Sequence, residues 1–226
     1  MIAYAQLDLH LNTRQVQQEL KTFTHKWNQH LNTACYEGSW TVLSLRSPGG
    51  KNTTVPDLLG EEFFANTPPM DFFPTVQKLI QGLACPVMAV RFLNLKAGSL
   101  IKPHRDVELA YELGEARLHF PIYTNKMVEF YVADDLLSMK EGECWYINAN
   151  LRHSVTNRGE TDRIHLVIDC KVDNWLQEIF KAANKTIKAD DADFAKKIST
   201  IRELKLQNTP IANLLAAQIE AELNNK

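Results

Sequence analysis

The sequence predicts an α+β protein: an antiparallel β-sandwich or barrel of jelly-roll type, flanked by helices towards both ends of the chain. Three observations carry that expectation. Short runs of β-forming residues recur between 87 and 172, separated by Gly, Asn and Asp turns. Before and after that block, apolar residues recur at three- and four-residue spacing. No glycine-rich phosphate loop follows any of the strand-like runs, which sets aside a nucleotide-binding α/β fold.

The first run, 3–9, reads as a short strand. Val16, Leu20, Phe23, Trp27 and Leu31 then fall at helical spacing, with Asn12 or Thr13 as the N-cap. His25 and His30 lie on or near the polar side of that helix and read as solvated surface residues. Trp40 to Leu45 alternates and is rich in β-formers, so a strand is expected. The stretch 47–66 carries Pro48-Gly49-Gly50 and little periodicity. It reads as a long loop, either a lid or a surface excursion. Helical spacing returns over 72–83 through Val76, Leu79, Ile80 and Leu83.

Strands are expected at 87–95, 115–123, 128–132, 143–148 and 163–172. In the last of these, alternation puts Ile164, Leu166 and Ile168 on one face, ready for helix packing. Arg163, His165 and Val167 point the other way, into a barrel mouth, and Arg117 and His119 likewise share a face. Beyond Asp173 the pattern is helical, with stripes at Trp175, Leu176, Ile179 and Phe180, at Phe194, Ile198, Ile201 and Leu204, and from Ile211 to Leu223. Pro210 sits early in the last helix, where its missing N–H matters little. The division expected is 1–172 for the β-domain with its N-terminal helices and 173–226 for a helical appendage. The appendage is expected to pack on its own domain or on a sister subunit, as in a homodimer.

At 226 residues, with 45% hydrophobic and 23% charged residues, the chain can bury a core. A net charge of -2 gives no electrostatic ground for nucleic acid or an anionic membrane surface. No apolar run approaches the roughly 20 residues of a membrane span, and the N-terminus lacks a signal pattern. A cytoplasmic protein is expected, with Cys35, Cys85, Cys144 and Cys170 reduced, since no C-x-x-C pair occurs.

The chemistry concentrates between 91 and 169. His104 and Asp106 form an H-x-D triplet, His153 lies on a later strand, and Arg163 follows ten positions on. Two histidines and a carboxylate can occupy one face of an octahedral ion, the facial triad of non-haem Fe(II) oxygenases. A guanidinium pairs bidentately with carboxylate, which suits Arg163 to the distal carboxylate of 2-oxoglutarate. An H-x-D triplet alone arises often by chance; the later histidine and the arginine beyond it make coincidence hard to sustain.

In order and at these spacings, several phrases resemble the aspartyl/asparaginyl β-hydroxylase family of Fe(II)/2-oxoglutarate-dependent oxygenases. They are the run from Leu95 through Gly98 to His104, Arg117-Leu118-His119, Gly142-Glu143-Cys144-Trp145, His153 to Asn157, and Arg163 to Asp169. The resemblance implies a double-stranded β-helix (cupin-like) and a dioxygenase that hydroxylates its substrate. That substrate is either an aspartyl or asparaginyl side chain of a peptide or protein, or a free amino acid or small derivative.

The resemblance also implies His104, Asp106 and His153 as iron ligands and Arg163 as the residue holding 2-oxoglutarate. Arg117 and His119 line the same pocket, and dioxygen completes the cofactor set. Some family members that modify proteins of the secretory pathway lack the carboxylate ligand; this chain has Asp106. Trp40, Trp145 and Asn157 also match family phrases, though a buried aromatic or a turn asparagine explains each. Arg46 and Arg91 are candidates for a substrate carboxylate, with strand packing the more ordinary role. A rival reading is a non-catalytic jelly-roll binder of small molecules with a structural metal. An inert site of that kind has no need of Arg163.

Overall fold

The computed structural model describes residues 1–51, 63–106, 109–188 and 192–224, the last with side chains from 196 to 223. Its N-terminal part contains β1 (Ile2–Leu7), α1 (Thr13–Thr22), β2 (Asn28–Gln29), β3 (Tyr36–Glu37), β4 (Trp40–Pro48) and β5 (Phe64–Asn66). The middle holds α2 (Pro74–Gly82), β6 (Val87–Leu95), β7 (Leu100–His104), β8 (Glu115–Tyr123), β9 (Val128–Val132) and β10 (Asp135–Leu137). Then follow β11 (Cys144–Ile147), β12 (His153–Asn157), β13 (Arg163–Lys171), α3 (Asn174–Ala182), β14 (Asn184–Ile187), α4 (Ala192–Gln207) and α5 (Pro210–Asn224).

Among the described residues the strands form two antiparallel sheets. The larger runs β14-β1-β11-β8-β13-β6-β4-β2, with β5 also on β4; the smaller runs β10-β9-β12-β7-β3. Strands distant in sequence are neighbours in both, the crossing pattern of a jelly roll.

Period-2 alternation decides what each face of the large sheet meets. Leu43, Leu45, Phe92, Leu118, Phe120, Leu166 and Ile168 point outward and pack with Val16 of α1, Val76 of α2, and Leu176 and Phe180 of α3. Trp40, Val42, Leu93, Leu95 and Val167 point inward and meet Ile101, Phe130, Val132 and Val155 of the small sheet. The outer core is a continuous apolar cluster. The inner one is interrupted by charged and imidazole side chains, and that interruption is the site described below.

The chain departs from the sequence expectation in several places. Asn12 does cap α1, its side chain accepting from the Gln15 N–H at 3.2 Å. The helix nevertheless stops at Thr22, and the Phe23 N–H closes it on Glu19 O. The apolar stripe runs on to Leu31, but Asn28 and Gln29 pair with Val42 and Thr41 of β4. Tertiary pairing overrides helical spacing here. The short strand carrying His104 hides behind Pro103, which has no N–H to give a ladder. That proline falls at a register shift between the pairs His153–His104 and Val155–Ile101. The expected loop 47–66 falls largely on 52–62, outside the described residues, and its two ends are strand instead: Ser47 and Pro48 end β4, and Phe64–Asn66 pairs back on it as β5.

The segment after Asp173 is not all helical. β14 pairs along β1 and extends the large sheet, and α3 buries Leu176 and Phe180 in the outer core. By contrast, α4 and α5 pack mainly on each other through Ile198, Ile201, Ala216 and Leu223, with Leu113 from the β-domain. The Phe194 side chain of the predicted stripe lies outside the described side chains.

Truncation after Asp173 removes two core side chains worth about 1.5–3 kcal/mol each, a large part of a typical domain stability of about 5–15 kcal/mol. That protein is expected to aggregate. Truncation after Lys188 spares both and is expected to give a folded β-domain. Sedimentation and thermal melting of the two truncations check the difference; equal behaviour would contradict it.

Candidate active site

The small sheet brings two histidines face to face. β7 and β12 run antiparallel, and His104 stands opposite His153 in register. Their ring centroids are 4.3 Å apart. The Nδ1 atoms meet backbone carbonyls, His104 that of Lys102 at 2.8 Å and His153 that of Leu151 at 3.0 Å. A carbonyl can only accept, so each ring carries its proton on Nδ1 and turns an Nε2 lone pair inward. Asp106 lies two residues past the end of β7, its N–H donating to Ala149 O at 2.8 Å. One ligand atom from each of His104, Asp106 and His153 lies within 4.8 Å of the others, and His104 Nε2 is 3.7 Å from Asp106 Oδ1.

These residues suit a divalent ion chemically. Burial, then the neighbouring His104, lowers the His153 pKa to about 4, so the ring is a neutral ligand at pH 7. Burial alone would raise the Asp106 carboxyl, but Arg117, then His153 and His104, outweigh it and hold the pKa down to about 2. Two imidazoles and one carboxylate on one side of an ion leave its other positions open.

The large sheet contributes a run of charges. Arg117 of β8 donates to Asp106 Oδ2 through one terminal nitrogen. Through Nε (2.7 Å) and its other terminal nitrogen (3.2 Å) it grips Asp169 of β13. Asp169 also accepts from Arg91 of β6 at 2.9 Å. A cavity of about 510 Å³ opens beside these groups; its wall includes His104, Asp106, Arg91, Arg117, Trp40 and His30.

Further along β13, alternation sends Arg163 and His165 inward. Arg163 is 1% exposed. Its guanidinium donates to His165 Nδ1 at 2.8 Å and sits 5.3 Å from the Phe130 ring centre. Its Nε has no hydrogen-bond partner, and no carboxylate pairs with it among the described residues. Burial pushes its pKa down to about 9, which leaves it charged at neutral pH. His119 of β8, whose ring lies 5.7 Å from that of His165, is buried with both ring nitrogens unpartnered. A desolvated cation without an anion, beside an imidazole without partners, is costly unless a ligand completes it. A dicarboxylate fits that requirement.

The sequence-predicted residues therefore fall into two groups. His104, Asp106 and His153 converge, while Arg163 and His119 lie on the inner face with His165. Arg117 shares that face, but its guanidinium is committed to Asp106 and Asp169. Asp169 and Arg91 are the charged residues to which sequence reasoning gave no firm role. Strand period could have found both, because Asp169 continues the Arg163-His165-Val167 face and Arg91 continues the Leu93-Leu95 face. His30 carried no usable signal. Instead of lying in solvent, it stacks on Trp40, with centroids 3.5 Å apart, and burial, then Arg91, lowers its pKa to about 4.

Burial also holds His119 and His165 well below the ordinary value of 6.5, with Arg163 adding to both. Rings that resist protonation only when folded stabilise the fold fully above 6.5, and that stability is lost progressively as pH falls below it. The metal-free protein is expected to lose melting temperature steadily from pH 7 to 4.5. A flat profile over that interval would contradict the buried neutral imidazoles.

Residues 10–173 match the family model of aspartyl/asparaginyl β-hydroxylase. An L-proline cis-4-hydroxylase of Rhizobium meliloti (strain 1021) is 27% identical over 158 residues, covering 68% of this chain and 55% of that protein. An L-proline cis-3-hydroxylase of Streptomyces sp. is 33% identical over 101 residues, covering 44% of this chain and 34% of that protein. The chain thus spans about half of the first relative's length and a third of the second's. A solved oxidoreductase of the 2OG-Fe(II) oxygenase family from Burkholderia pseudomallei is 13% identical, with a TM-score of 0.43 over 72% of this chain and 79% of that one.

Proposed function

This chain belongs to the aspartyl/asparaginyl β-hydroxylase family, and from that premise we propose that it is an Fe(II)/2-oxoglutarate-dependent dioxygenase hydroxylating a free amino acid. The observation that carries the reading is the convergence of His104, Asp106 and His153 on one point beside a cavity, with a buried guanidinium at Arg163 that pairs with no carboxylate among the described residues. In this reading His104 and His153 would hold iron through their inward-facing ring nitrogens and Asp106 through its carboxylate. Arg163 grips the distal carboxylate of 2-oxoglutarate, and His119 lies beside it. When bound, iron supplies the oxidative chemistry: dioxygen and 2-oxoglutarate are consumed, succinate and carbon dioxide leave, and one oxygen atom becomes the substrate hydroxyl.

What the chain itself does is bind and orient. Arg91 lines the cavity and donates to Asp169 through one terminal nitrogen. Its other donors suit the carboxylate of a free amino acid. Trp40 and Leu93 are apolar walls of the same cavity and suit a compact apolar body, which keeps water from the reacting carbon. The relatives named for L-proline make that imino acid the first substrate to try.

The test is anaerobic loading with Fe(II) and 2-oxoglutarate, then oxygen with L-proline and a panel of amino acids and aspartyl or asparaginyl peptides. Succinate release stimulated by a free amino acid is expected. Stimulation by peptides alone would move the substrate to a protein side chain. Tight metal binding without any stimulated turnover would favour the non-catalytic binder.

A further inference from the structure

The charged run ending on Asp106 has a centre to which the proposed reaction gives no role. Asp169 is 6% exposed and stands opposite Arg117 in the register of β13 and β8. It takes Arg117 side-on, through Nε and one terminal nitrogen at 2.7 and 3.2 Å. Only the other terminal nitrogen reaches Asp106, and it reaches Oδ2. The remaining oxygen, Oδ1, is the one 3.7 Å from His104 Nε2. Arg91 takes a second share of Asp169 at 2.9 Å.

We propose that Asp169 is a positioning residue for the metal site, acting through Arg117 to decide which Asp106 oxygen faces the ion. The inference rests on the reading of His104, Asp106 and His153 as ligands. A guanidinium has a two-nitrogen edge that matches both oxygens of a carboxylate. Fixed in orientation by the side-on grip of Asp169, Arg117 meets Asp106 through one terminal nitrogen and takes one oxygen. Released, it turns an edge to Asp106, takes both oxygens and competes with the metal. Asp169 also carries part of the Arg117 charge, which otherwise rests on Asp106 alone, the carboxylate the ion would need. Both effects have the same sign: without Asp169, metal binding weakens.

The experiment titrates Fe(II) alone, anaerobically and without 2-oxoglutarate, into the wild type, Asp169→Asn, Arg117→Gln and the double variant. Melting temperatures of the metal-free proteins are taken alongside. Asp169→Asn is expected to weaken Fe(II) binding roughly ten- to a hundredfold, the usual range for groups that orient a ligand. In the Arg117→Gln background the same change is expected to matter by no more than about twofold, the scatter of independent sites. An equal loss in both backgrounds, or an early-melting Asp169→Asn protein with unchanged Fe(II) affinity, overturns the proposal.

Should Asp169→Asn fail to fold, Arg91→Gln/Asp169→Asn removes one buried cation with the anion and enters the same comparison, with and without Arg117→Gln. Failure of the wild type to bind Fe(II) sinks the ligand reading, and this inference with it. Wild-type binding with no effect of Asp169 sinks the positioning role alone.

Discussion

Alanine at His104 or His153 is expected to abolish tight Fe(II) binding and all 2-oxoglutarate turnover while leaving the fold in place. Each substitution removes one of three protein donors. The loss should exceed the roughly ten- to hundredfold typical of groups that merely orient a ligand. The fold survives because its stability lies elsewhere. The outer core between the large sheet and α1, α2 and α3 contains neither histidine. What each ring gives its surroundings is one hydrogen bond to a carbonyl two residues back, worth about 1 kcal/mol. Metal titration and melting on both purified variants check the expectation. Unchanged iron affinity in either variant would move the metal elsewhere.

Arg163→Ala is expected to raise the apparent KM for 2-oxoglutarate far more than it disturbs Fe(II) affinity. Losing one charge-assisted pair costs about 1.5–3 kcal/mol, or roughly ten- to more than a hundredfold in binding. Arg163→Lys should recover only part of this, since a point charge cannot reproduce a planar two-bond fork. The surroundings of Arg163 sharpen the test. The cation is buried, its Nε lacks a partner and no carboxylate pairs with it among the described residues. In the ligand-free protein it therefore adds little stability. Its removal is expected to leave the melting temperature of that protein almost unchanged, while the wild type gains stability from added 2-oxoglutarate and the variant does not. An Arg163→Ala protein that melts early but keeps its 2-oxoglutarate saturation curve would make Arg163 a strut between strands and remove its cosubstrate role.

Much of the architecture was legible because it is local and periodic. The two faces of the strand from Arg163 to Lys171 follow from alternation, and the structure sends Ile164, Leu166 and Ile168 to the helices and Val167 to the inner core. Asn12 declares the start of the first helix by its side-chain chemistry. The short strands β2, β3, β7, β10 and β14 were not legible. Three to five residues or fewer carry too little pattern, and their hydrogen bonds are satisfied only by strands distant in the chain. The helix expected to run on to Leu31 failed for that reason: the pairing of Asn28 and Gln29 with β4 sets the conformation there and leaves Leu31 exposed.

By itself, the sequence determined the jelly-roll body, the residue types of a candidate metal site and the arginine ten positions beyond its second histidine, because spacing and chemistry are written along one dimension. Only the tertiary structure decided which oxygens and nitrogens are free. It left Arg163 without an anion among the described residues and gave Arg117 two carboxylates. It joined Asp169 to Arg91 across strands, and it folded His30 from a supposed surface onto Trp40 in the cavity wall. Charge pairing and desolvation depend on distances between atoms that lie up to 78 positions apart in the chain, and no local pattern encodes those distances.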